Sequence, residues 1–207
     1  MKTKTLLGII VCAVGITAAC TNNNQSAIDS SETKTRKIFE YNDKIQNTFF
    51  GVPFGSSKDE VVTGFAKHGF YEDYYSTNDR LSFKKKDGGR HGITMNAFSF
   101  GGMNWKQLNV YLSNNQFNSI EFTKGHKTKE SALECFDYVL SEVSAKYHLF
   151  ESPVDDTTSY KRYVGLTKDD QWIIVHCYSY ESVSHERYIG VTLAYGDNNF
   201  DNVSDEL

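Results

Sequence analysis

Apolar and polar residues alternate along several stretches of the chain, which is the pattern of half-buried β-strands. The alternation runs over residues 106–112, stops at the turn pair Asn114-Asn115 and resumes over residues 118–122, so this region is predicted to form an antiparallel hairpin. The chain is therefore expected to contain an extensive antiparallel sheet. Further strands are predicted at residues 80–85, 93–100, 160–166, 171–178 and 188–195.

Two other segments carry apolar residues at helical spacing. Ser57 with Glu60 three residues later matches a capping box, and Gly69 is placed to end this first helix. A second, longer helix is predicted to begin near Thr128. Its apolar residues form a long stripe along one side of the helix, which must pack against another apolar surface. That stripe consists of Ala132, Leu133, Cys135, Phe136, Val139, Leu140, Val143 and Tyr147.

The order of these elements is helix, four strands, helix, three strands, which predicts an α+β fold. A weak internal similarity favours two related units, since SSKDEVVTGF and KTKESALECF superpose without gaps around the starts of the two helices. We expect two helix-then-strands units that form one antiparallel sheet with the helices packed on one face.

The amino end of the chain has a different character. Lys2 and Lys4 precede an apolar run over residues 6–19, which is too short for a transmembrane helix of about 20 residues. The run ends in TAAC at residues 17–20, which resembles the lipobox of bacterial lipoproteins, although Leu is usual at the first of these positions. Lipidation at Cys20 is the prediction, and an ordinary secretory signal cleaved near the same point is the alternative.

The chain is accordingly divided into four parts. Residues 1–19 are predicted to be a lipoprotein signal peptide, and the polar residues 20–36 a flexible tether from the lipidated cysteine. Residues 37–200 are long enough for a single α+β domain with its own core, and residues 201–207 are predicted to be a disordered tail. The protein is expected in the bacterial cell envelope, lipid-anchored on the periplasmic side or the cell surface.

Charge argues against one class of partner. Removal of residues 1–19 takes away two lysines and changes the net charge from −4 to −6. A mildly acidic protein lacks the basic face that nucleic acid requires, so no nucleic-acid binding is predicted. We expect a monomer that is attached to a membrane through its lipid and binds a protein or a glycan.

Residue types that carry chemistry do not form a catalytic motif. The six histidines lack the i, i+4 spacing of a zinc helix, and no GxSxG, SxxK or P-loop pattern occurs, so neither a metal nor another cofactor is predicted. His176 adjoins Cys177, but neighbours in a strand point to opposite faces. Cys135 in the second helix and Cys177 in a strand could form a disulfide, or they could be two buried free thiols.

One short segment has a family resemblance. FGVPFGSSKDEV at residues 50–61 resembles the opening of small secreted or lipidated bacterial proteins, in which a Gly-x-Pro-Phe-Gly stretch leads into a helix. The order of helices and strands over residues 48–196 is similar to the beta-lactamase-inhibitor-protein-like fold, of which outer-membrane assembly lipoproteins use a smaller version. The resemblance implies a role in binding or envelope maintenance and transfers no catalytic residue.

Aromatic residues indicate a candidate binding surface. The chain has 14 Phe, 13 Tyr and 2 Trp. Strand alternation predicts a set of rings on the sheet face away from the helices, where Tyr and Trp are typical of recognition sites. Ordinary strand packing of aromatic residues is the alternative. The predicted set is Trp105, Tyr111, Tyr163, Trp172, His176, Tyr178, Tyr180 and Tyr188.

The function predicted from these features is that of a protein-binding module that uses this aromatic sheet face without covalent chemistry. Two alternatives remain open at this point. Exposed Trp and Tyr rings also stack on sugars, which would make the protein a carbohydrate-binding surface lipoprotein. A hydrolase whose site is assembled from distant strands would leave no local motif in the sequence.

Overall fold

The computed structural model describes residues 40–85, 97–154, 158–181 and 186–200, without the side chain of Phe200. The predicted signal peptide, tether, lipidated Cys20 and terminal tail lie outside these residues, as does the first part of the strand predicted at 93–100. The described residues form two α-helices, twelve strands and a final 3-10 turn. In chain order these are β1 Thr48–Phe49, β2 Val52–Pro53, α1 Lys58–Lys67, β3 Phe70–Glu72, β4 Arg80–Lys85, β5 Phe98–Phe100, β6 Met103–Trp105, β7 Gln107–Ser113, β8 Gln116–His126, α2 Lys129–Ser144, β9 Phe150–Glu151, β10 Ser159–Leu166, β11 Gln171–Glu181, β12 Arg187–Asp197 and the 3-10 turn Asn198–Phe200.

Eight of the strands form one large sheet. Its order is β3-β4-β7-β8-β12-β11-β10-β9, and every neighbouring pair is antiparallel. Two short two-stranded sheets, β1-β2 and β5-β6, complete the strands of the described residues. The prediction of a mixed α+β protein with a large antiparallel sheet is thus confirmed.

The hairpin formed by β7 and β8 follows the sequence prediction. Its turn residues Asn114 and Asn115 have φ angles of 50° and 63°. Positive φ at both central residues is required by the type I′ turn, which matches the twist of the flanking strands, and Asn tolerates this conformation better than most residues. The turn therefore sets the pairing of Ser113 with Gln116 and of Leu112 with Phe117, and a β-bulge shifts the register from Tyr111 onward.

Both helices begin where their capping residues predict. The Ser57 backbone N–H donates to Glu60 Oε2 at 2.8 Å and the Glu60 N–H donates to Ser57 Oγ at 3.4 Å, which completes the capping box of α1. The Ser57 backbone N–H and the Ser57 hydroxyl, which also donates to Glu60 Oε2 at 2.8 Å, lower the pKa of Glu60 below its ordinary value. Gly69 follows the helix with a φ of 77°, and Thr128 caps α2.

Both helices pack on the same face of the large sheet. Phe65 of α1 and Phe136 of α2 are fully buried with strand residues such as Val110, Phe122 and Val175 in one core. Phenylalanine provides most of the rings in this core, since it has no hydroxyl group that needs a partner. Several tyrosines lie instead on the opposite face of the sheet, among them Tyr111, Tyr178, Tyr180 and Tyr188. We call this the open face. None of the helices in the described residues is long and apolar enough to cross a membrane.

Candidate functional site

The open face is assembled by the register of its central strands. Tyr178 on β11 lies opposite Gly190 on β12, and Gly190 lies opposite Gly125 on β8. Two residue pairs further along, Tyr180 lies opposite Tyr188. Because directly opposed residues point to the same side of a sheet, these positions share one surface.

Four of the predicted rings form a continuous row on this surface. The His176 and Tyr178 ring centroids are 4.9 Å apart, those of Tyr178 and Tyr180 are 5.9 Å apart, and those of Tyr180 and Tyr188 are 5.9 Å apart. His176 Nε2 lies 3.0 Å from the Ser159 hydroxyl oxygen, which orients its ring. We call these four residues the aromatic row.

Two glycines leave space on the sheet for the side chains of Tyr178 and Tyr180. A methyl group on Gly190 would come within 2.9 Å of Tyr178 Cζ, and one on Gly125 within 2.7 Å of the Tyr180 hydroxyl. The Tyr178 ring and the Tyr180 hydroxyl thus occupy space that side chains on β12 and β8 would otherwise fill. The rings are packed before any ligand binds, so binding would cost little side-chain entropy.

A chain of polar side chains runs beside the row. Ser82 Oγ donates to Asn109 Oδ1 at 2.9 Å, and Asn109 Nδ2 donates to Glu121 Oε1 at 3.3 Å. Thr123 Oγ1 donates to the same carboxylate oxygen at 3.0 Å and lies 3.1 Å from Thr192 Oγ1. The network links four strands and satisfies the Glu121 carboxylate with neutral donors.

Two tyrosines next to this network remain protonated at neutral pH. Burial, with a smaller contribution from the Glu121 carboxylate, raises the pKa of Tyr111 to about 12. Burial also raises the pKa of Tyr178, and this effect exceeds that of hydrogen bonds with Thr192 and Thr123, which lower the pKa. Both phenols are therefore neutral hydrogen-bonding groups and not candidate nucleophiles or bases.

A groove of about 760 Å³ lies at one end of the open face. One wall comes from the β3–β4 hairpin and β7, and the other from the ends of β11 and β12. This volume lies within the range of ligand-binding pockets. Its lining residues are Asp73, Tyr75, Arg80, Ser82, Phe83, Lys84, Lys106, Gln107, Leu108, Asn109, Tyr180, Glu181 and Tyr188.

Two other residues of the predicted set, Tyr111 and Trp172, lie on the open face but outside the groove. Tyr111 lies on the open face opposite Ser119, beside the polar network. Trp172 also lies on the open face, at the far end of β11, where its ring covers Gly196 and its indole N–H donates to Asn198 Oδ1 at 3.0 Å. Neither ring contacts the groove, so only part of the predicted set forms one site.

The prediction for Trp105 is wrong. Its side chain is 1% exposed, its ring lies 6.0 Å from that of Phe122, and its indole N–H donates to the Phe100 carbonyl at 3.1 Å. Trp105 ends β6, and Lys106 separates β6 from β7. The alternation of side chains between the two faces of β7 therefore cannot be continued back to Trp105, and the Trp105 side chain lies in the core.

The prediction for Tyr163 is also wrong. Tyr163 lies opposite Val175, a core residue, and its ring is 6.1 Å from that of Phe136 on α2. Apolar residues occur on both sides of β10, because Val164 is buried on the open-face side opposite Ile174. The pattern within β10 alone therefore could not distinguish the two faces.

Cys135 and Cys177 are free thiols in the structure, so the disulfide considered from the sequence is absent. Cys177 is buried and Cys135 is half-buried where α2 packs on the sheet. Burial raises the pKa of Cys135, and burial with the nearby Cys135 raises the pKa of Cys177 to about 11. Both thiols therefore behave as small apolar groups of low reactivity.

Sequence patterns do not indicate the polar half of the site, which comprises Arg80, Lys84, Lys106, Asn109 and Glu121. Alternation in β4, β7 and β8 does place polar residues on the face opposite the core, but surface strands usually have such residues. These residues differ from ordinary surface residues only because they lie close together at one groove, and that proximity depends on the strand order.

No group of three or more His, Cys, Asp or Glu side chains within the described ranges could hold a metal ion. His91 and His185 lie outside those ranges. Comparisons of the chain with models of protein families, with curated proteins and with solved structures found no match. The resemblance to the beta-lactamase-inhibitor-protein-like fold stays a prediction.

Proposed function

We propose that this chain is a lipid-anchored protein of the bacterial envelope that binds another protein through the open face of its sheet. The observation that carries the proposal is the aromatic row, whose four rings contact one another in series. Tyr178 and Tyr180 lie against glycines, and Tyr180 and Tyr188 line the groove. Tyrosine and tryptophan supply much of the binding energy in protein interfaces. Rigid rings give this energy at low entropic cost.

The dimensions of the open face favour a protein over a single sugar. From β4 to β11 the sheet spans four strand spacings of about 4.8 Å, and Trp172 and Tyr180 are separated by eight residues of about 3.3 Å each. These lengths give a surface of roughly 500 Å², compared with about 800 Å² for each partner in a standard interface. Tyr74 and Tyr75, which are 80% and 53% exposed beside the groove, would extend the contact.

The same proposal includes the two-unit arrangement expected from the sequence. One group of large-sheet strands, β3, β4, β7 and β8, follows α1, and the other group, β9 to β12, follows α2. In the sheet the two groups meet at the pair of β8 and β12, the last strand of each group. This order favours a duplicated ancestor and an architecture similar to the beta-lactamase-inhibitor-protein-like fold.

The proposed location rests on the amino-terminal pattern. A lipid on Cys20 would attach the chain to a membrane, and the polar residues 20–36 would let the domain reach a partner in the envelope.

A carbohydrate ligand is the second candidate, and the volume of the groove favours it. A space of about 760 Å³ with Tyr75, Tyr180 and Tyr188 in its walls could hold a short glycan. Glycan arrays probed with the purified domain test this candidate. Tryptophan fluorescence is a poor reporter for it, since Trp105 is in the core and Trp172 lies outside the groove.

Site-specific photocrosslinking tests the protein-binding proposal. Benzoylphenylalanine would replace either Tyr75, in the groove wall, or Tyr138, on α2, because each side chain is 53% exposed. The two full-length chains are irradiated in intact cells and analysed for higher-mass protein adducts. We expect a discrete adduct from position 75 and none from position 138. Equal adducts from both positions, or none from position 75, would contradict a protein-binding open face.

A further inference from the structure

We propose that the groove receives an acidic segment of the partner protein, with carboxylate side chains meeting Arg80 and Lys106. This inference rests on the proposed function and specifies the chemistry of the partner. It follows from how the charges that line the groove are paired.

Three of the five charged residues that line the groove, Asp73, Lys84 and Glu181, have an oppositely charged neighbour. Lys84 Nζ lies 2.9 Å from Asp73 Oδ2 in a largely buried salt bridge. Glu181 lies opposite Arg187 in the pairing of β11 with β12, a position at which opposite charges attract. These four residues therefore contribute little net charge to the groove.

Arg80 and Lys106 are the other two charged residues that line the groove. Both side chains are exposed, both line the groove, and neither forms a salt bridge with another residue in the described part of the chain. The Glu121 carboxylate is on the same face, but it accepts hydrogen bonds from Asn109 and Thr123 and does not line the groove. The groove is thus a local positive site on a chain with a net charge of −4.

A positive site in a tyrosine-walled groove discriminates between occupants. A neutral occupant would remove water from Arg80 and Lys106 without replacing its interactions, which is unfavourable. Carboxylates offset that cost, and the planar guanidinium of Arg80 can bind one through two parallel hydrogen bonds. The walls formed by Tyr180 and Tyr188 suit the apolar parts of a peptide chain.

The test repeats the Tyr75 photocrosslink in three full-length backgrounds. The first is otherwise unchanged, the second carries Arg80→Glu with Lys106→Glu, and the third carries Lys127→Glu with Lys168→Glu. The third pair is the matched control, since those lysines are exposed, lie outside the groove and undergo the same change in charge. Circular dichroism melting curves establish that all three chains are folded.

We expect the adduct to decrease at least about tenfold in the groove variant and to persist in the control, because reversed charges would repel an acidic segment. The adduct should also decrease as NaCl is raised from about 0.1 M to 1 M in permeabilised cells, since the screening length shortens from about 10 Å to 3 Å. Mass spectrometry should identify a crosslinked peptide that contains Asp or Glu near the attachment point.

Several results would overturn the inference. An adduct that survives the groove reversal, or a crosslinked peptide without acidic residues, would show that a protein binds but not through carboxylates. An adduct to a glycan would show that the groove binds a carbohydrate and not an acidic protein segment. Absence of any adduct in the unchanged background would instead refute the proposed protein-binding function, so the two failures are distinguishable.

Discussion

The contact between Trp172 and Gly196 tests directly how the open face is built. A methyl group on Gly196 would lie 2.1 Å from Cζ2 and 2.2 Å from Cε2 of the indole. Carbon atoms in contact are normally about 3.5–4.0 Å apart, so Gly196→Ala must displace the ring. Displacement would also break the indole hydrogen bond to Asn198, which is 3.0 Å long.

The expected loss of stability follows from three contributions. Overpacking costs about 1–3 kcal/mol, and a lost hydrogen bond costs about 1 kcal/mol. The reduced flexibility of alanine in the unfolded chain returns about 0.4–1 kcal/mol. The free energy of unfolding should therefore decrease by about 2 kcal/mol, which moves the urea midpoint by roughly 1 M. Urea unfolding of the purified domain, followed by far-ultraviolet circular dichroism, measures this shift.

A double-mutant cycle isolates the contact. In a Trp172→Ala background the ring is absent, so Gly196→Ala should be neutral or slightly stabilising, and the coupling energy should be about 2 kcal/mol. Gly125→Ala serves as the comparison, because the methyl group would come close only to the terminal hydroxyl of Tyr180, at 2.7 Å, and not to the ring carbons. If Gly196→Ala were equally costly with and without the tryptophan, the ring would not lie over this glycine.

Three further predictions concern other parts of the chain. Burial and Lys124 hold the pKa of His126 below its ordinary value of 6.5, so the unfolded chain binds the proton first as pH falls and stability should decrease below pH 6.5. His126→Gln should flatten that decrease in urea unfolding at several pH values, and equal slopes would contradict it. Iodoacetamide at pH 8 should modify Cys135 and Cys177 only after unfolding, as measured by mass spectrometry of their peptides. No modification after unfolding without reductant would indicate a disulfide instead. Cys20→Ala should abolish incorporation of an alkyne-tagged fatty acid, and persistent labelling would refute lipidation at this residue.

Local patterns predicted the two helices and the longer strands of this protein, but not the short strands β1, β2, β3, β6 and β9. The strand predicted at 80–85 corresponds to β4, and those predicted at 160–166, 171–178 and 188–195 fall within β10, β11 and β12. The capping box of Ser57 and Glu60 places the start of α1. Capping, turn formation and alternation each depend on residues close together in the chain, so the sequence contains them explicitly.

The faces of the strands were harder to predict. Tyr111, Trp172 and the aromatic row follow simple alternation outward from well-defined core strands. Trp105 and Tyr163 do not, because a break at Lys106 resets the count in one case and both sides of β10 carry apolar residues in the other. A period of two assigns a side chain to a face only while the strand is continuous and one side alone is apolar.

The sequence by itself therefore determined the positions of the two helices and of the longer strands, including the tyrosine-rich β11. Tertiary structure alone decided that β12 lies between β8 and β11, which places Tyr178 over Gly190 and brings Tyr180 to Gly125. The same pairing brings Arg80 and Lys106 into one groove with Tyr188 on a distant strand. Strand order depends on how the whole core packs, and no short stretch of sequence contains that information.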